Sequence, residues 1–174
     1  MKIENELPIR KPTRLKEFDY SSSNAYFITI CVEKRKNILS KIVGEGFPLP
    51  KLSAYGNVAE KWIKKLSDKY NNVSVDCYVI MPNHIHLLLT AINDGGRGDP
   101  SPTVSAVVGW LKYQITSEIN RIKGTSGAKI FQRSFYDHVI RNRNDYEEIW
   151  KYIYENPIRW KLDKFYLEDE YNQL

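Results

Sequence analysis

His84 and His86 stand one residue apart in the run CYVIMPNHIHLLLT, Cys77 to Thr90, the most apolar part of the chain. If the run is extended, alternate residues share a face, so the two imidazoles point to one side while Ile85 and Leu87 point to the other. Residues two apart on a strand lie about 7 Å from each other, and two neutral imidazoles at that spacing can reach a single divalent cation if another ligand comes from elsewhere. A pair of core histidines satisfied by hydrogen bonds is the plainer alternative. The cost of burying both rings among Leu and Ile favours ligation. A third histidine, His138 in FYDHVIR, could help activate a nucleophile, orient a ligand or make a structural hydrogen bond.

Two hydrolase patterns use closely spaced histidines, and neither fits. The histidine-triad pattern requires a third His at position 88, which is Leu, and the chain has no pair of separated His-x-Thr/Ser motifs. A nucleophile is offered instead by DYEEIWKYIYENP. There Tyr146, Ile149, Trp150 and Ile153 recur as a helical apolar stripe, while Tyr152 and Asn156 lie one turn apart at its shoulder. That turn brings a phenol and a carboxamide together. Periodicity alone equally describes Tyr152 as an amphipathic packing residue, one of twelve tyrosines.

The surrounding elements must position these groups. AYFITICV, Ala25 to Val32, is β-branched and aromatic and is expected to form a central strand. A Gly- and Pro-punctuated stretch after it reads as a hairpin ending near Pro50. From Ser53 the spacing of Val58, Trp62, Ile63, Leu66 and Tyr70 predicts a helix. VSVDCYVIM and HIHLLLTA are the next strands, joined by a bend at Pro82-Asn83. After the loop INDGGRGDPSPT, Thr103 or Ser105 is placed to cap the helix VSAVVGWLKYQITSEINRIK. The strand FYDHVIR follows, then a helix capped by Asn144 or Asp145 and stopped by Pro157. This order predicts an α+β, ferredoxin-like domain, a mainly antiparallel sheet with helices on one face.

With 174 residues, 42% of them hydrophobic, the chain suits one domain rather than two. Residues 1–20 read as a basic arm and 161–174 as a tail. Lys and Arg total 26 against 21 Asp and Glu, a net charge of +5 that suits a polyanionic partner. Cys31 and Cys77 both lie in apolar runs, as buried thiols of a reducing compartment do. No apolar run approaches the roughly 18 residues of a membrane span, and the N-terminus has no signal-type apolar core. A soluble, cytoplasmic protein without a membrane partner is expected.

YVIMPNHIHLLLT, followed by FQRSFYDHVIRNRNDYEEIWKYIYENPIRW, resembles the REP-associated tyrosine transposases, a branch of the single-tyrosine HUH transposases of bacterial insertion sequences. The resemblance runs from about Arg14, through RLKEFDYSSSNAYFITICVEKRKNIL, to about Trp160, with His84-Ile85-His86 as the His-hydrophobic-His motif. It implies an HUH domain in which Tyr152, opening Tyr-Ile-x-x-Asn-Pro, is the catalytic tyrosine, and Asn156 takes a third metal-ligand position beside His84 and His86. It further implies a divalent ion, Mg²⁺ or Mn²⁺. The function implied is a single-stranded DNA endonuclease and strand transferase that works through a 5′-phosphotyrosine, takes hairpin DNA as substrate, and acts as a monomer or homodimer.

Such a reading gives the basic residues a task. Arg10, Arg14 and Lys16 in the arm, Lys34 and Arg35 after the first strand, and Arg133, Arg141 and Arg143 around the His138 strand are expected to meet DNA phosphates, with Tyr20, Tyr136 or Trp160 to stack on bases. A solvated basic surface is the bland alternative. Two other functions stay open at this level: a catalytically silent DNA-binding descendant, and a metal-dependent phosphodiesterase without a covalent step.

Overall fold

A computed structural model describes residues 24–91 and 102–167; the basic arm, the INDGGRGDPS part of the loop and the last residues of the tail lie outside the described residues. Four strands form one antiparallel sheet in the order β4-β5-β1-β6: β1 Asn24–Cys31, β4 Val73–Ile80, β5 His84–Ala91 and β6 Tyr136–Ile140. A separate hairpin, β2 Ser40–Val43 and β3 Leu49–Leu52, is inserted after β1. The helices are α1 Ala54–Lys64, the short α2 Leu66–Lys69, α3 Val104–Lys123 and α4 Arg143–Glu155. Leaving the hairpin aside, the chain runs β-α-β-β-α-β, the ferredoxin-like order expected from the sequence.

The alternation of β1 and β5 assigns two different cores to the two faces of the sheet. Tyr26, Ile28, Ile30, Ile85, Leu87 and Leu89 face α1 and α3 and join Val58, Ile63, Val108, Leu111 and Ile115 in the larger core. The expectation of helices on one face describes α1–α3. The apolar stripe of α4 carries that helix across the opposite face, where Ile153 packs with Cys31, Val79 and Leu88 and is joined by Phe27, Tyr146 and Ile149. Burying a side chain such as Leu88 contributes about 1.5–3 kcal/mol. Through the register Cys31↔His84 and Thr29↔His86, both histidines belong to this second face.

Caps and close approaches fix the ends. Thr103 caps α3 as expected, its hydroxyl accepting from Ala106 N at 3.2 Å, and Gly124 ends the helix in the left-handed region at φ 62°. The cap of α4 is Asn142, whose side chain accepts from Asp145 N at 2.9 Å, not Asn144 or Asp145. Asn142 alone has the extended backbone (φ −156°, ψ 172°) that leaves its oxygen facing the first free N–H groups. The predicted helix from Ser53 to Tyr70 is broken at Lys65 into α1 and α2. Gly56 in α1 has a packing reason: a Cβ there would overlap the Leu39 carbonyl oxygen.

Candidate active site

The turn between β4 and β5 is held in place by backbone bonds from elements that precede it. Val32 N donates to Asn83 O at 2.9 Å, Leu39 N to Pro82 O at 3.0 Å, and Met81 N to His84 O at 2.9 Å across the turn itself. The histidines therefore enter β5 from a rigid corner. Both are buried, at 0% and 1% exposure, with ring centroids 4.5 Å apart.

Each ring is held by its Nδ1. His84 Nδ1 lies 2.9 Å from Asn83 Oδ1, an oxygen that only accepts, so Nδ1 carries the hydrogen and Nε2 keeps a lone pair. His86 Nδ1 lies 2.9 Å from Thr29 Oγ1, a hydroxyl that both donates and accepts; when it accepts from Nδ1–H, the His86 Nε2 keeps a lone pair as well. Both Nε2 atoms are buried without a hydrogen-bond partner, and so is Asn156 Oδ1. Buried polar atoms normally have partners, so three orphaned polar atoms at one place call for a ligand. Asn156 itself is 2% exposed and donates through Nδ2 to Asp163 Oδ2 at 3.0 Å. The donor atoms of His84, His86 and Asp163 lie within 4.8 Å of one another, a cluster that could hold a metal ion. Imidazole nitrogen and carboxylate or amide oxygen suit a divalent cation, and the Asn83 and Thr29 bonds are the outer contacts that orient ligating histidines.

Burial pushes the His84 imidazole down to about 4, and burial followed by the neighbouring His84 charge holds His86 well below its ordinary value. Both rings are thus neutral at neutral pH, the form a cation needs.

From α4, Tyr152 reaches this cluster. Its ring centroid is 5.4 Å from that of His86 and 5.8 Å from that of Phe27, which it meets edge-on at 90°, while the side chain remains 37% exposed. Burial, then the Asp163 carboxylate, raises its phenol above the ordinary value. The other tyrosines of α4 are directed elsewhere. Tyr154 stacks on Trp150 with centroids 5.8 Å apart, and Tyr146 donates its hydroxyl to Asp76 Oδ2 at 3.1 Å.

The remaining sequence candidates divide. His138 faces the same side of the sheet, opposite Phe27 in register, but its Nε2 pairs with Asp145 Oδ2 at 2.9 Å and ties β6 to the start of α4. Lys34 and Arg35 sit in a turn with φ of 55° and 53°, and Arg35 lies 4.9 Å over the Phe165 ring beside the histidines. Arg133 is at the same end of the sheet, next to Gln132, whose N–H donates to Cys31 O at 2.9 Å. Arg141 and Arg143 lie at the far end, beyond the Ala25↔Ile140 pair, and Arg143 is paired with Glu147 at 2.6 Å. Arg10, Arg14, Lys16 and Tyr20 fall outside the described residues. Trp160, only 8% exposed and 6.0 Å from the His84 ring, is a packing residue with no free face for a base. Tyr136, opposite Thr29 on the edge strand, is 47% exposed.

Sequence reasoning missed Asn83, Thr29 and Asp163. The first two carry only the weak signal of a polar residue within an apolar run. Asp163 carries none, since it lies in what reads as a tail.

Among relatives, an uncharacterized protein of Haemophilus influenzae is 30% identical over 174 residues, covering 91% of this chain and 94% of that protein. A "Putative REP-associated tyrosine transposase" of the same organism is 28% identical over 151 residues, covering 81% of this chain and 74% of its own length. A solved REP-associated tyrosine transposase bound to a REP hairpin superposes with a TM-score of 0.55 at 20% identity, over 84% of this chain and 73% of that one, a likeness of fold. The family described as Transposase IS200 like matches residues 20–156. With that match spanning most of its length, the chain belongs to the IS200-like transposase family.

Proposed function

We propose that this protein is a metal-dependent single-stranded DNA endonuclease and strand transferase in which Tyr152 is the nucleophile and His84, His86 and Asn156 hold the cation. The observation that carries the reading is the convergence, from two different elements, of the half-exposed Tyr152 phenol on the orphaned Nε2 atoms of the histidines. Mg²⁺ or Mn²⁺ bound there would supply Lewis-acid stabilisation of charge on the scissile phosphate. Tyr152 Oη attacks phosphorus, the P–O3′ bond breaks, and the phenol proton ends on the departing 3′ oxygen. A 5′-phosphotyrosine and a free 3′-OH result. One phosphodiester is exchanged for another, so its bond energy is conserved for joining a second strand.

The substrate proposed is hairpin or single-stranded DNA, and the solved relative of like fold is bound to a REP hairpin. A cleft of about 710 Å³ beside the site, lined by Lys41, Lys51 and Lys161 among others, suits a polyanion. Tyr136 on the edge strand offers a stacking surface at the same end of the sheet. Among the described residues no helix is long and apolar enough to cross a membrane; the location proposed is the cytoplasm, with a single domain working as a monomer or homodimer. Trapping a denaturant-resistant adduct between the protein and a cleaved hairpin oligonucleotide tests the proposal; cleavage without an adduct would replace it with a water-using phosphodiesterase, and binding alone with a silent DNA-binding protein.

A further inference from the structure

The family match ends at residue 156, yet a carboxylate from beyond that boundary reaches the histidines. Asp163 accepts from Asn156 Nδ2 at 3.0 Å and from Phe165 N at 2.7 Å. A carboxylate has about four lone-pair directions, so those two bonds leave capacity for a cation. The segment 163–167 is fastened to the elements that position the histidines. Asn83 Nδ2 donates to Phe165 O at 2.8 Å, while its Oδ1 holds the His84 ring. Arg35 Nη1 donates to Lys164 O at 3.2 Å, and the Phe165 ring lies 4.7 Å from the His84 ring. Arg35 holds this position with φ at 53°, a conformation that costs free energy in a side-chain-bearing residue.

We propose that Asp163 is a direct ligand of the cation held by His84 and His86, and that binding the cation and seating the segment 163–167 are one coupled event. The inference rests on the metal-binding reading of the histidine pair. With Asn156 alone as third ligand the donor set is neutral; Asp163 makes it two imidazoles and a carboxylate, which places a full negative charge against the dication. Linkage is reciprocal, so whatever factor Asp163 adds to cation affinity, the cation returns as stability of the seated segment.

The test uses the full-length protein, stripped with chelator, titrated with Mn²⁺ by calorimetry and followed by hydrogen–deuterium exchange. Asp163→Asn keeps the shape and an acceptor for Phe165 N, and a melting temperature close to wild type without metal will establish that it folds. It is expected to lose about tenfold or more in Mn²⁺ affinity, with Asp163→Glu recovering part of the loss. Mn²⁺ is expected to slow exchange in the 163–167 peptide of wild type and not of Asp163→Asn. A smaller affinity loss, or exchange that Mn²⁺ leaves unchanged in wild type, overturns the proposal. His86→Ala run alongside separates the two levels: if it also binds Mn²⁺ like wild type, the metal site itself is wrong, whereas loss in His86→Ala alone overturns only the role of Asp163.

Discussion

Tyr152 and His86 sit with ring centroids 5.4 Å apart, one on α4 and the other on β5, the sheet supplying the imidazole and the helix the phenol. The sheet alternation fixes which face the imidazole takes, and the α4 stripe, packed on that face through Ile153, brings Tyr152 to it. Neither element alone makes a site.

Tyr152→Phe removes one oxygen while keeping the ring that packs on Phe27, so the fold is expected to persist. Wild type should form a denaturant-resistant adduct with a cleaved hairpin oligonucleotide and Tyr152→Phe none. Tyr154→Phe should form it almost normally, because that ring stacks on Trp150 away from the histidines. Peptide mapping that places the DNA on another tyrosine would overturn the assignment.

His84→Ala or His86→Ala should abolish cleavage while leaving single-stranded DNA affinity within about tenfold of wild type, since backbone phosphate contacts supply most of the binding free energy. The two losses differ because both imidazoles are buried and can touch only what enters their pocket. Variants that cleave normally in chelator-treated buffer would rule out the metal site.

Much of this arrangement was legible beforehand. The order of strands and helices followed from period-2 and period-3.6 patterns, and the shared face of His84 and His86 from their spacing alone. That Tyr152 rather than Tyr146 or Tyr154 meets them came from resemblance, since an amphipathic stripe does not say which shoulder faces a ligand. What stayed hidden depends on contacts distant in sequence. Asn83 is satisfied by Phe165, and Asp163 bonds to Asn156 only because the chain doubles back after Pro157. The Asn142 cap and the break at Lys65 were missed because several polar residues near each boundary offered comparable local signals.

Binding should favour a single-stranded hairpin over a blunt duplex and weaken steeply as salt rises, because the cations contact phosphates and the aromatics need unpaired bases. Tyr136→Ala should weaken binding by about 1–3 kcal/mol if a base stacks on it, with little change in salt dependence. Arg133→Ala should instead reduce the salt slope by about 1. Fluorescence anisotropy at several salt concentrations measures both, and equal affinity for random duplex would count against the reading.

Acid should weaken the metal-free protein in a defined window. The His84 imidazole is held down to about 4 by burial, against a reference near 6.5 in an unfolded chain, and His86 is depressed for the same reason. Between those values the unfolded state binds protons that the folded state refuses, so folding stability contributed by these groups is complete above about 6.5 and lost progressively as pH falls toward about 4. Urea midpoints taken in chelator at pH 7 and pH 5 should therefore drop at the lower pH, while most carboxylates are still ionised. Replacing both rings, in His84→Asn with His86→Asn, should flatten that difference even if it lowers stability at both. Because the folded rings are still neutral at pH 5, protons compete with a cation little more there than at pH 7, so saturating Mn²⁺ should raise the wild-type midpoint by a similar amount at the two pH values and leave the double variant unmoved. A wild type equally stable at pH 5 and pH 7 without metal would mean that the buried imidazoles are not held neutral as their surroundings demand.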